Sequence, residues 1–250
     1  MTLRMDGRME GAVRDYVCVD LETTGLHPRT DRIIEIGAVR VRNGRVVQTW
    51  QSLVNPGRRL SETVRQITGI TQEEVDSAPD IGQALPECLC FLGKDVLVGH
   101  SLLFDFSFLK KAAVNAGLAL EAEGIDTLKL ARRYLPELPG RGLEELCRRF
   151  GIPHRAHRAL GDAQATAALY ELLCERFYEK NTFTPAPLIY RVKKEGPASR
   201  AQKERLLRLS ALYGAPLDVD LEKLTRNEAS RLADQLIARY GNALKTVKKS

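Results

Sequence analysis

Val17-Cys18-Val19-Asp20-Leu21-Glu22-Thr23-Thr24-Gly25 is the stretch from which the rest of the chain can be read. From Tyr16 to Leu21 the run is short, mostly apolar and rich in valine, the pattern of a buried strand rather than a helix. Asp20 and Glu22 interrupt it at i, i+2, so both carboxylates leave the strand on the same side. Adjacent like charges repel and resist desolvation without a counter-charge, and a divalent cation is the obvious one. Thr23-Thr24-Gly25 closes the strand with hydroxyls and a residue that lets backbone approach a ligand closely. On this stretch alone, a cation site and a strand end with solvated acids are equally consistent.

Composition bounds the class. A chain of 250 residues suits one large domain, or a medium domain with a small one, and 44% hydrophobic residues supply a packed core. Residues 1–14 are polar and glycine-containing, and read as a flexible leader. No run approaches the ~18 apolar residues of a membrane span, so the expectation is a soluble cytoplasmic protein with no membrane partner. The cysteines Cys18, Cys88, Cys90, Cys147 and Cys174 fall at positions that read as core faces, without CxxC spacing. That pattern implies buried thiols in a reducing compartment rather than zinc or disulfides. Charge divides unevenly: residues 1–180 carry 24 Lys+Arg against 25 Asp+Glu, and residues 181–250 carry 14 against 7. A near-neutral body with a basic tail fits a polyanionic partner such as nucleic acid.

Outward from the opening strand, Ile33–Arg42 alternates apolar and polar residues, Asn43-Gly44 marks a hairpin turn and Val46–Val54 resumes, which predicts three antiparallel strands in succession. Helices are expected at Leu60–Ile67, after a Thr71/Glu74 capping box, and over Ile81–Leu92. Val96–Gly99 reads as a strand, followed by a helix to about Ala116 with Asp105 near its front and Phe104, Phe106 and Phe108 as core. Asp126-Thr127 ends a further strand; helices follow at Leu128–Tyr134, Leu143–Phe150 and Ala159–Tyr178, the last expected to be the longest, with Asp162 in its first turn. Residues 181–197 read as a proline-bearing linker, and 198–250 as a small basic module of two helices capped by Ser199/Gln202 and Thr225/Glu228, the second stopping at Gly241.

Three segments, VDLETTG (Val19–Gly25), GHSLLFDFSFL (Gly99–Leu109) and HRALGDA (His157–Ala163), resemble the three motifs of the DEDDh group of 3′–5′ exonucleases, which includes the proofreading epsilon subunit and the proofreading domain of bacterial replicative polymerases. ITGIT at 67–71 and Asp126-Thr127 resemble further family phrases. His157 precedes Asp162 by five positions, the histidine-type spacing; tyrosine-type relatives place Tyr where this chain has Arg158. Where many relatives have Asn after Gly-His, this chain has Ser101. The resemblance covers roughly residues 14–178 and implies an α/β fold, ribonuclease-H-like, with a mixed sheet flanked by helices, here as a domain over 15–180.

It also implies the chemistry. Two Mg²⁺ or Mn²⁺ ions about 3.5–4 Å apart can position a water and stabilise the leaving oxygen of a phosphodiester, and hard cations take carboxylate oxygens. Asp20 would bridge the two ions, Glu22 and Asp162 would complete the water-activating site, Asp105 would hold the second ion, and His157 would be the general base. His27, His100 and His154 read as structural or incidental. Thr23 would face nucleic acid. The tail stretch Ala198–Gly241, with LT-x-x-EAS at Leu224–Ser230, is similar to a small helical module appended to varied bacterial proteins; Lys193, Lys194, Arg200, Lys203, Arg205 and Arg208 are its expected phosphate contacts. The expected activity is metal-dependent 3′–5′ trimming of DNA to nucleoside 5′-monophosphates, with single-stranded or frayed 3′ ends and a DNA polymerase as partners. RNA 3′-end trimming and a non-catalytic nucleic-acid-binding or polymerase-associated subunit are the alternatives.

Overall fold

Strand β1 (Tyr16–Thr23) is central to a six-stranded mixed sheet, paired antiparallel with β2 (Ile33–Arg42) and parallel with β4 (Val96–Gly99). The computed structural model describes residues 11–247, with side chains through Tyr240. On one side the sheet continues from β2 to β3 (Arg45–Leu53) across Asn43 and Gly44, whose φ values of 51° and 71° suit a two-residue hairpin turn. On the other it continues from β4 to β5 (Glu123–Asp126), parallel, and to β6 (Ala186–Pro187), antiparallel. Helices α1 (Glu62–Thr68), α2 (Gln72–Asp76) and α3 (Ile81–Leu92) precede β4; α4 (Leu102–Ala116) follows it; α5 (Thr127–Tyr134), α6 (Leu143–Phe150), α7 (Ala159–Phe177) and α8 (Lys180–Phe183) lie between β5 and β6. This is the mixed, helix-flanked sheet of the ribonuclease-H-like expectation.

The period of β1 sorts its side chains between two cores. Val17, Val19 and Leu21 pack with α3 and α4, around Leu85, Leu102 and Phe106. Tyr16 and Cys18 pack with α5, α6 and α7, around Leu146, Tyr170 and Leu173. The alternation expected of β2 is not observed, because both faces are covered: Ile33 through Val39 are all buried. Along the α7 face, Cys18 lies opposite Val39, Asp20 opposite Gly37 and Glu22 opposite Glu35. A Cβ on Gly37 would lie 2.2 Å from the backbone of Ala159 and Leu160, so the missing side chain is what lets the first turn of α7 settle beside Asp20.

Three readings of the sequence change. The leader begins outside the described residues at 1–10, but Ala12 and Val13 pack against the α7-side core and Tyr170 Oη donates to the Val13 carbonyl (3.2 Å). Cys90 is exposed, whereas the other four thiols are buried. Ala186 and Pro187, inside the stretch expected as linker, add an edge strand to β5.

The chain forms two compact units, one running to Pro56 and from Leu60 to Val192, the other comprising Gly57–Arg59 and the chain from Lys193. The smaller unit holds α9 (Arg200–Tyr213) and α10 (Arg226–Val247) around Leu206, Leu224, Ala229, Ala233 and Leu236. Both expected caps form. The second helix does not stop at Gly241: α10 runs to Val247 and is longer than α7, since one glycine costs a helix only about 1 kcal/mol and helix-compatible residues follow. Arg58 belongs to this unit, bridging to Val219 through the backbone and pairing with the buried Glu228 carboxylate (3.3 Å).

Gly37→Ala is expected to lower stability by about 1–3 kcal/mol through overpacking against backbone that cannot step aside, checked by urea unfolding beside the wild type; an unchanged midpoint would show that α7 has room to move.

Candidate active site

Asp20 and Glu22 emerge on the α7 face, and Asp162, in the first turn of α7, meets them: carboxylate oxygens of the three lie within 4.8 Å of one another. Asp105 comes from α4, across the sheet, and its Oδ1 accepts the Leu21 backbone N–H (3.1 Å), so its carboxylate is tied to the strand between the other two acids. Burial, then the charges of Asp105, Asp162, Glu22 and Glu35, push Asp20 well above the usual carboxylate range. Asp105 is raised mainly by burial, against the hydrogen bonds it accepts. Glu22 is pushed up to about 7 by burial and by Asp162 and Glu35, with Arg158 opposing. Clustered carboxylates driven toward protonation are what a hard divalent cation relieves, so the donor set fits the implied metals.

His157 is exposed on the loop before α7, takes no side-chain partner among the described residues, and has a left-handed φ of 61°. Strain of that kind at a non-glycine residue concentrates at functional sites. His154, which reads as structural or incidental in the sequence, sits with its Nε2 2.6 Å from Asp162 Oδ1, and the two side chains are only 6% and 11% exposed. Asp162 Oδ2 accepts the Arg158 backbone N–H (3.0 Å), so both oxygens are oriented before any cation arrives. No spacing rule singles out His154; its proximity follows from the turn of the loop.

Glu35 and Arg158 were also missed. Glu35 is 2% exposed and accepts the Arg158 guanidinium and the Ala159 N–H. The signal for it was present: a lone acid within the apolar run Ile33-Ile34-Glu35-Ile36, which a strand covered on both faces cannot leave unpaired. His100 is structural as read, bridging Thr127 Oγ1 and the Arg141 carbonyl (both 2.9 Å). Thr23 Oγ1 donates to the Gly25 carbonyl (2.7 Å), spending its hydroxyl on the turn. Phe106 and Phe108 are buried and Phe104 packs against Phe108, as core residues. Of the expected phosphate contacts, Lys193, Lys194, Arg205 and Arg208 are exposed; Arg200 and Lys203 form ion pairs with Glu204 (2.8 Å) and Glu222 (2.5 Å).

The mixed sheet thus brings acids from β1, α4 and α7 together at one end of β1. Residues 17–170 match the RNase T family, described as Exonuclease, and the chain belongs to that family. It is 40% identical over 170 residues to the PolC-type DNA polymerase III of Thermotoga petrophila, covering 67% of this chain and 12% of the polymerase. To the same enzyme of Clostridium perfringens it is 35% identical over 177 residues, covering 70% and 12%. The chain thus spans about an eighth of the length of the polymerases it matches. Among solved structures it resembles Exonuclease X in complex with 5′-overhanging duplex DNA (TM-score 0.53, 28% identity, 67% of this chain and 96% of that one). It also shares the fold of E. coli Exonuclease I in complex with a dT13 oligonucleotide (TM-score 0.56, 21% identity, 64% and 40%). Among the described residues no helix is long and apolar enough to cross a membrane.

The carboxylate cluster predicts an inverted pH dependence for the metal-free protein. Glu22 holds a proton in the folded state between its ordinary 4.5 and about 7 that the unfolded chain lacks. Its contribution to stability is therefore full below pH 4.5 and lost as pH rises through about 7, and Asp20 and Asp105 act in the same direction. Melting temperatures in a chelator should fall across that interval, recover at the alkaline end on adding Mg²⁺ or Mn²⁺, and fall less steeply in Glu22→Gln.

Proposed function

We propose that this chain is a metal-dependent 3′–5′ exonuclease that removes nucleotides from DNA 3′ ends as nucleoside 5′-monophosphates. The observation that carries the reading is the meeting of Asp20, Glu22 and Asp162 within 4.8 Å, with Asp105 buried on α4 and His157 exposed on the loop before α7. DNA is favoured over RNA because the polymerase relatives and the oligonucleotide complexes among the structural neighbours are named for DNA. The same relatives support a DNA polymerase as partner, with a bacterial cytoplasmic setting for the work.

Asp20, Glu22, Asp105 and Asp162 would hold two Mg²⁺ or Mn²⁺ ions, with Asp20 shared between them. When bound, the cations neutralise the phosphodiester oxygens and acidify the attacking water. His157, exposed and without a side-chain partner among the described residues, accepts the proton of that water at a ring nitrogen as the new P–O bond forms and the bond to the departing 3′ oxygen breaks. His154 and the Arg158 N–H hold Asp162 at a fixed angle throughout. Matched DNA and RNA strands labelled within their 3′-terminal nucleotides, incubated with Mg²⁺ or Mn²⁺, test the reading. Trimming of DNA is expected, with a loss of at least about 10²-fold in Asp20→Ala that exceeds the loss in Glu22→Ala, Asp105→Ala or Asp162→Ala. Trimming of neither strand would sink the enzyme reading, and preference for RNA would move it to the 3′-end trimming alternative.

The basic module is proposed to grip nucleic acid through Lys193, Lys194, Arg205 and Arg208, with Arg200 and Lys203 joining by exchanging surface ion pairs worth about 0–1 kcal/mol. Because Gly57–Arg59 is part of this unit, cutting the tail away would strip Arg58 of Glu228, so the test belongs in the full chain. Replacing the four exposed basic residues by alanine should weaken DNA binding and shallow the slope of affinity against salt by about 0.7 for each phosphate no longer neutralised on single strands. An unchanged slope would refute the role.

A further inference from the structure

Glu35 is a charged group in a place where charge is expensive. It is 2% exposed, and its carboxylate is fully engaged: Arg158 donates from Nε to both oxygens (3.2 Å each) and from Nη2 to Oε1 (2.8 Å), and Ala159 N–H donates to Oε2 (2.9 Å). Arg158 is the residue between His157 and α7, and its backbone N–H is one of the two donors on Asp162. In the sheet register Glu35 stands directly opposite Glu22. The Arg158 guanidinium therefore has a choice of carboxylates: besides Glu35 it feels the charges of Glu74 and of Glu22, one of the acids that the proposed reaction needs for cations.

We infer that Glu35 is a positioning residue that holds Arg158 away from the metal-binding carboxylates while fixing the path of the chain from His157 to Asp162. The inference rests on the proposed reading of Asp20, Glu22 and Asp162 as cation ligands. A guanidinium beside clustered acids is a built-in competitor for a divalent cation, since it offers positive charge and hydrogen bonds to the same carboxylate oxygens without leaving the protein. The bidentate pair with Glu35 removes that competitor, and the Ala159 N–H bond, together with the close approach over Gly37, sets where α7 begins. Glu35 does not touch the reacting atoms; it acts through Arg158.

Direct binding of Mn²⁺ by calorimetry, in wild type, Glu35→Gln, Arg158→Ala and the double variant, separates this from a merely structural role. Glu35→Gln should weaken Mn²⁺ binding by about 10–100-fold, because the released Arg158 turns to Glu22. Arg158→Ala should bind Mn²⁺ no more weakly than wild type, and the double variant should recover most of the affinity that Glu35→Gln forfeits. On 3′-labelled DNA, both single variants should lower kcat with little change in KM. Weakened binding in Arg158→Ala, failure of the double variant to recover, or a lowered Tm with wild-type Mn²⁺ affinity in Glu35→Gln would each overturn the inference. Should Glu35→Gln not fold, as judged by circular dichroism, the Arg158→Ala measurement decides alone. If the wild type binds Mn²⁺ and the variants behave as expected but no DNA is trimmed, the activity reading fails and the clamp stands.

Discussion

Negative charge crowded at one end of β1 is the constraint on which the rest of the larger unit depends. Two unit charges about 4 Å apart repel by roughly 4 kcal/mol at the effective dielectric of a protein surface, and here Asp20, Glu22 and Asp162 share such distances, with Asp105 and Glu35 adding to the field at Asp20. A loop could not hold them; it would open. Asp20 and Glu22 are instead carried on a strand hydrogen-bonded to β2 along its length and to β4 along its first half. Asp162 and Asp105 are carried on the first turns of helices, where the macrodipole favours an acid. Each acid is thereby held by backbone that cannot yield one residue at a time.

The same logic explains the local chemistry around those positions. Asp105 spends one oxygen on the Leu21 N–H, which locks α4 to β1 at the level of the acids. Gly37 gives up a side chain so that α7 can approach, and Glu35 gives up solvent to tie down Arg158 and Ala159. The smaller unit meets a different problem. Its core is short of large apolar residues, and small units need additional fastening. It finds that in two capping boxes, in the stacked pair Tyr213–Tyr240 (5.9 Å between ring centroids), and in Arg58, contributed by a segment far earlier in the chain.

Much of this was legible in the residues. The hairpin over Asn43-Gly44, the capped helices and the three acidic motifs are local patterns, and local patterns survive into the structure because few tertiary forces oppose them. What could not be read depended on distant partners. The sequence of β2 reads as alternating because Glu35, Arg40 and Arg42 interrupt its apolar residues, yet Glu35 points to the face opposite that of the two arginines; the covering of both faces buries it and leaves it in need of Arg158. Ala186-Pro187 looked like linker because proline cannot donate to a sheet, yet an edge strand tolerates it. No feature of Pro56-Gly57-Arg58 announces that Arg58 will meet a glutamate 170 residues later.

The two histidines before α7 show why spacing and geometry are separate kinds of information. Five residues before Asp162 picks out His157, yet it is His154 that touches the carboxylate. A histidine buried against an acid is oriented but cannot reach a water outside the cluster. His157 is exposed, without a side-chain partner among the described residues, and held in a left-handed conformation, as the proposed base requires. The loop can place both only because its ends are fixed: Gly151 closes α6 with φ 67°, and Glu35 grips Arg158 and Ala159 at the start of α7. Between those anchors the loop sets the His154 imidazole against Asp162 and leaves that of His157 facing the solvent. The orientation of Asp162 and the exposure of His157 are thus two consequences of a single constrained loop.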